Sequence, residues 1–241
     1  MQRFLVPADV FAADRSSLEG STARQMCVVL RMRPGEHVTL IDGRGGEALC
    51  VLDVVTQRQV ALHVVARAVN AAEPALRIHL FPALLRAPRF ELVLQKATEL
   101  GVQAITPVLT QRSVARPPDE AVPERWKSIV REAVEQSGRG RLPELRPPID
   151  FPTACAEAAK ADLALCCSEH GGAELRVLLT QHVPRTLSAI TGPEGGLAAA
   201  ELAEAAQAGL QAVTLGPRIL RAETAALALC AAAFCLSGDW R

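Results

Sequence analysis

Residues 190–224 run ITGPEGGL, then a short alanine- and glutamate-rich stretch, then VTLGPRILRAET. Two Gly-Pro turns lie here, Gly192-Pro193 and Gly216-Pro217, each directly after a β-like run and before a segment that can start a helix. The run 187–191 is too short and too sharply bounded for a helix, and it ends at Thr191. After it, Gly192, Gly195 and Gly196 can take positive φ and bring backbone N–H groups close to a ligand, while Pro193 stiffens the entry. From Leu197 the pattern predicts a helix that stops at Gly209. The second turn follows the run 212–215, where Leu215 precedes Gly216, and Arg218 and Arg221 bracket the apolar pair Ile219-Leu220. That bracket suits a flat heterocycle beside something anionic. It equally suits a capped, solvated loop, and the segment alone leaves both readings open. A long alanine-leucine helix then runs to about Gly238. Ligands of α/β sheets bind at strand-end loops, so this pair of turns is the expected site.

Working back toward the start, strands alternate with helices from residue 74 onward. RIHLFPALL reads as a strand, PRFELVLQKATELG as a helix closed by Gly101, and QAITPVLT as one strand. PERWKSIVREAVEQSG reads as a helix closed by Gly138, TACAEAAK as another, DLALCCS as a buried strand and AELRVLLTQH as a helix. Such alternation implies an α/β fold with a mostly parallel sheet covered on both faces. Residues 1–70 have a different texture. VTLIDGRGGEALCVLDVV gives strand, Gly-rich tight turn and strand, and RQVALHVVARAV continues the period-2 pattern. A helical patch is expected over 21–30 and a turn at Pro34-Gly35. This part reads as a small β-barrel with a basic early face carrying Arg3, Arg24, Arg31 and Arg33. Residues 70–74 read as a linker, which sets domains at 1–70 and 74–241. The loop SGRGRLPELR (137–146), with Arg139 and Arg141, is either a phosphate contact or an ordinary solvated loop.

The chain has 241 residues, of which 49% are hydrophobic, so it can bury a core and is not expected to be disordered. Basic and acidic residues balance at 26 each, which argues against coating nucleic acid by bulk charge but leaves room for a local basic patch. No apolar run reaches the roughly 20 residues needed to span a bilayer, and no signal-peptide core follows the first methionine. No membrane partner is expected, and a cytoplasmic location is. The 7 cysteines form no C-x-x-C pair and the histidines at 37, 63, 79, 170 and 182 show no ligand spacing, so no metal site or disulfide is expected. Standard dinucleotide-binding, P-loop and nucleophile-elbow signatures are all missing.

Beyond that point the residues carry a resemblance. ITGPEGGL followed by LGPRILRAETA resembles the cofactor-binding signature of the RsmE family, 16S ribosomal RNA (uridine-N3) methyltransferases of the SPOUT superfamily. MQRFLV at the start, VLRMRPGEHVTLIDGRGGE (29–47), KATELGV (96–102) and ERWKSIVREAVEQSGR (124–139) also resemble family segments, so the likeness spans nearly the whole chain. It implies an N-terminal PUA-like, RNA-binding β-barrel and a SPOUT-type α/β domain with a parallel sheet and a C-terminal trefoil knot. It further implies a homodimer, S-adenosyl-L-methionine as cofactor, and 16S rRNA of the small ribosomal subunit as partner. On this resemblance Thr191, Gly192, Pro193, Gly195, Gly196, Leu215, Gly216, Ile219, Leu220 and Thr224 hold the cofactor, and the neighbouring strand end around Leu165 to Ser168 faces the same site. Arg221 would stabilise or orient the uracil. Glu194 is either a base or a loop hydrogen-bonding group. Arg3, Arg24, Arg31, Arg33, Gln136, Arg139 and Arg141 would face RNA. Lys96 and Glu99 would anchor a helix or the dimer. Two positions depart from the pattern: Ala222 stands where threonine is expected and Gln25 where histidine is common. The alternatives are a methyltransferase acting on another RNA base and a non-catalytic RNA-binding or ribosome-assembly factor.

Overall fold

The computed structural model describes residues 1–119, 121–169, 171–181 and 184–240. His170 and His182 therefore lie outside the described residues. The chain divides into two compact units, one of residues 1–73 with 131–142 and the other of residues 74–130 with 143–241.

The first unit contains β1 (Arg3–Leu5), α1 (Ala8–Ala12), β2 (Arg15–Glu19), α2 (Gly20–Arg24), a π-helical turn (Gln25–Val29), β3 (His37–Ile41), β4 (Gly46–Val55) and β5 (Gln59–Val69). Its strands form one half-barrel sheet ordered β1-β3-β4-β5-β2. Alternate residues such as Val38, Leu40, Cys50, Leu52 and Leu62 turn inward and pack on Phe4 and Met26. Register shifts at Leu49/Cys50 and Leu52/Val54 in the β4–β5 ladder are bulges that curl the sheet. The expected Gly-rich turn joins β3 to β4. There Asp42 Oδ1 accepts from the N–H groups of Arg44 (2.7 Å) and Gly46 (2.9 Å). Three elements were not foreseen: β1, three residues long, and α1 and β2, each five; β2 pairs antiparallel with β5 through the mostly exposed RSSLE.

The segment read as a linker is tied down. Asn70 is buried and donates from Nδ2 to Glu47 Oε2 and to the Gly138 carbonyl, both at 2.9 Å. Glu73 accepts from the backbone N–H groups of Gly140 (3.1 Å) and Arg141 (2.9 Å), and pairs with the Arg139 guanidinium at 2.9 Å. Residues 138–141 thus take their shape from the end of the first unit's own chain.

The second unit contains β6 (Arg77–Pro82), α3 (Ala87–Leu100), β7 (Ala104–Ile105), β8 (Val108–Leu109), α4 (Glu124–Ser137), β9 (Glu144–Leu145), β10 (Ile149–Asp150) and α5 (Phe151–Ala158). There follow β11 (Leu163–Cys167), β12 (Ala173–Glu174), α6 (Leu175–Gln181), β13 (Thr186–Thr191), α7 (Ala199–Gln207), β14 (Gln211–Thr214) and α8 (Ala222–Leu236). The last seven residues of α4 group with the first unit. Seven strands form an all-parallel sheet ordered β12-β14-β11-β13-β6-β7-β9. Alternation within the strands confirms that both faces are covered. Leu163, Leu165, Leu187 and Ala189 pack with α3, α6 and α8. Ala164, Cys166 and Ile190 pack with α5 and α7 on the other face.

Two expectations need correction. QAITPVLT is two strands, not one: Pro107 has no N–H for the ladder, and the chain leaves β7 in the large sheet to pair β8 with β10. The helix expected from Ala173 starts at Leu175, because Ala173 and Glu174 pair with Val213 and Thr214 as β12.

Candidate functional site

Register sets the site. Cys166 lies opposite Ile190, Cys167 opposite Val213, and Thr191 opposite Pro82. Since β14, β11, β13 and β6 are neighbours in that order, their C-terminal ends finish level and the loops that follow converge. These loops enclose a cavity of about 430 Å³, within the size range of small-molecule sites.

The first turn contributes Gly192, Pro193, Glu194 and Gly196 to its wall, and the second Leu215, Gly216, Ile219, Leu220 and Arg221. Gly196 and Gly216 have φ of +69° and +106°, which side chains resist. Other expected residues stand off the wall. Leu165 is fully buried among the core side chains of β11, and the lining from that strand begins at Cys167 and Ser168. Thr191 is buried at the end of β13, and Thr224 is exposed on α8. Gly195 is exposed and offers its carbonyl to Arg112 Nη1 at 2.8 Å.

The sequence reading missed Arg89 and Arg112 as lining residues. Arg89 sits in the first turn of α3, just past the end of β6, and Arg112 follows β8. Applying the strand-end rule to β6 as well as to β13 and β14 would have found Arg89. Arg89 Nη1 donates to Glu194 Oε1 at 3.0 Å, and its Nε lies 3.8 Å from Glu223 Oε1. One guanidinium therefore ties the first glycine turn to the start of α8. A second tie runs through Glu201, whose carboxylate accepts from Ala198 N–H and from Gln111 N–H, each at 2.8 Å. That is half of a capping box, since Ala198 has no side-chain acceptor.

The cavity contains no activated thiol. Burial pushes Cys167 far above the ordinary thiol range and Cys166 up to about 12. Arg221 occupies the N-cap position of α8 with its side chain exposed; Ala222, where threonine was expected, is buried and supplies no cap. Among the described residues no group of three or more His, Cys, Asp or Glu is placed to hold a metal ion.

The residues expected to face RNA divide into two sets. Arg24, Arg31, Arg33, Gln136 and Arg141 are exposed. Arg31 takes φ of +52°, unusual for a residue with a side chain. Arg3 is instead paired with Glu47 at 2.8 Å, and Arg139 is only 3% exposed against Glu73. As placed, these two order their own loops. Lys96 and Glu99 pair with each other along α3.

Comparison with known proteins gives the class first. Residues 72–234 match the RNA methyltransferase domain family, and residues 18–64 match the RNA methyltransferase PUA domain family. The chain is 35% identical to ribosomal RNA small subunit methyltransferase E of Synechocystis over 82% of its own length and 65% of that protein's. It is 32% identical to the Mycobacterium bovis protein of the same name, over 92% of this chain and 87% of that one. The crystal structure of a ribosomal RNA small subunit methyltransferase E from Neisseria gonorrhoeae bound to S-adenosyl methionine superposes with a TM-score of 0.90. The two are 35% identical, and 98% of each chain is covered. The chain belongs to the RNA methyltransferase family, in its ribosomal RNA small subunit methyltransferase E (RsmE) branch.

Proposed function

We propose that this chain transfers a methyl group from S-adenosyl-L-methionine to N3 of a uridine in 16S rRNA of the small ribosomal subunit. The observation that carries the reading is the cavity framed by the two glycine turns, in a chain whose relatives bear that activity in their names. The wall fits the cofactor chemically. Glycine backbone allows close approach, while Leu197, Leu215 and Leu220 offer apolar surface to a flat heterocycle. When bound, the cofactor supplies an electrophilic methyl group carried on a sulfonium.

The chain's own residues do the rest. Holding the base in line with the donor supplies much of the rate, and uracil N3 must lose its proton. Arg221, at the junction of the second turn and α8, stabilises the negative charge that develops on the uracil. Glu194, already engaged by Arg89, serves the loop tie. Arg24, Arg31, Arg33, Gln136 and Arg141 contact RNA from exposed positions. The protein works in the cytoplasm as a homodimer; the exposed apolar Ile219, Leu236 and Trp240 support the dimer. The strand order β14-β11-β13-β6 supports a knotted C-terminal segment.

The test is mass-spectrometric nucleoside analysis of small-subunit rRNA from cells lacking the enzyme, incubated with this protein and methyl-labelled cofactor. Labelled 3-methyluridine at one site is expected; a different labelled nucleoside overturns the target. Arg221→Ala is expected to lower turnover about 100-fold while cofactor affinity is kept. Full turnover would remove Arg221 from catalysis.

A further inference from the structure

We propose that Arg112 and Arg218 form a two-armed phosphate clamp at the mouth of the cavity, gripping the RNA backbone on either side of the nucleotide that enters it. This rests on the reading of RNA as the substrate.

The charged residues lining the cavity are Arg89, Arg112, Arg218 and Arg221 against Glu169 and Glu194. Arg89 is matched, by Glu194 at 3.0 Å and Glu223 at 3.8 Å. Arg112, Arg218 and Arg221 are exposed, and among the described residues none of them is paired with a carboxylate. In a chain whose 26 basic and 26 acidic residues cancel, this unmatched positive charge gathers at one opening.

Arg112 is preorganised. Its turn is closed by Ser113 N–H donating to the Thr110 carbonyl at 3.1 Å, and pinned by Gln111 N–H donating to Glu201 at 2.8 Å. Its stem lies along Gly195, where a Cβ would stand 3.5 Å from Arg112 Cβ and Cδ. Nη1 donates to the Gly195 carbonyl at 2.8 Å. A guanidinium has several further N–H donors, so most of the planar fork stays available to a ligand. Arg218 stands on the other glycine turn, next to the exposed Ile219.

Charge and shape name that ligand. The methyl donor carries a sulfonium cation and a zwitterionic amino-acid end, so its net charge is positive and a surplus of arginines does not match it. RNA brings one anionic phosphate per nucleotide. A base turned out of its stack into a cavity carries a phosphate on each side, and the arginine fork matches two phosphate oxygens at once. One arm beside each glycine turn meets the two flanking phosphates, and Arg221 is left to the base.

The test measures binding of the full chain to transcribed 16S rRNA over a range of salt concentrations, and to S-adenosylhomocysteine by titration calorimetry. Arg112→Gln and Arg218→Gln are each expected to weaken RNA binding about five- to tenfold at about 0.1 M salt. Each should also lower the slope of log affinity against log salt by about 0.7–0.9. S-adenosylhomocysteine affinity is expected to stay within about twofold. Arg112→Lys keeps the charge and is expected to keep the slope. An unchanged slope in either glutamine variant, or a reduced one in the lysine variant, overturns the proposal. So does an equal loss of S-adenosylhomocysteine affinity, which would make Arg112 a support of the glycine turn or a partner of the cofactor's carboxylate. Wild type that binds RNA but not S-adenosylhomocysteine removes the methyl-donor reading and leaves the clamp standing. Wild type that does not bind RNA overturns the clamp. Should Arg112→Gln not fold, Arg218→Gln decides alone, since that side chain is exposed and makes no hydrogen bond among the described residues.

Discussion

His79 shows how one side chain can tie the pH response to the fold. It sits in β6, its ring stacked on Phe81 at 3.9 Å and its Nε2 bonded to Thr106 Oγ1 at 2.8 Å. Burial, with Arg146 adding to it, lowers its pKa to about 4. The folded protein therefore keeps this imidazole neutral while the unfolded chain protonates it near 6.5. The unfolded state binds the extra proton between those values, so stability falls as pH drops through that window. The loss amounts to roughly 3 kcal/mol. His79→Gln should flatten the urea-unfolding midpoint between pH 6.5 and 4, and an unchanged slope would assign the acid sensitivity elsewhere. Histidine at this position was legible only as a residue without ligand spacing. Its burial follows from a strand pairing with Ser188 and Ala104 that no local pattern encodes.

At the scale of elements, the sequence was clearest where periodicity runs long. The helices closed by Gly101, Gly138, Gly209 and Gly238 end where the glycines indicated, each with positive φ. Two-residue strands such as β9, β10 and β12 are shorter than any hydrophobic period and could not be read. The glycine turns were legible because they are local, but the ties that hold them are not. Arg112 and Glu201 join segments some 90 residues apart through Gly195 and Gln111. Glu201→Ala leaves two backbone N–H groups without their acceptor, one on the loop after β8 and one at the start of α7. It should cost about 2–3 kcal/mol in chemical denaturation and weaken cofactor binding as well. Loss of stability with unaltered binding would show that this tie does not shape the site. In the first unit, Glu73→Ala removes the acceptor of the Gly140 and Arg141 N–H groups and one partner of the buried Arg139. A loss of about 2–3 kcal/mol is expected from the same measurement. Gly140 admits no substitute there, since a Cβ would meet the Asn70 Cβ at 2.4 Å.

For the molecule as a whole, composition and alternation gave two textures, and the structure contains two units. The unforeseen part is the return of residues 131–142 to the first unit, a long-range pairing with no sequence signal of its own. Glu135 accepts from Leu5 N–H at 2.9 Å, and the Gly140 carbonyl accepts from Gly45 N–H at 3.0 Å. A fragment ending at residue 73 lacks these partners. It should unfold at a clearly lower temperature than one in which a linker appends residues 131–142, and equal midpoints would show that the appended segment adds nothing. The cavity lies wholly within the second unit and draws on the ends of β6, β8, β11, β13 and β14, of which the sequence pointed to the last three.

If the two glycine turns hold the methyl donor, as proposed, ultraviolet crosslinking of methyl-labelled S-adenosyl-L-methionine followed by peptide mapping will place the label within 190–197 and 213–222, competed away by S-adenosylhomocysteine. Competed label confined to peptides remote from the ends of β11, β13 and β14 would contradict it.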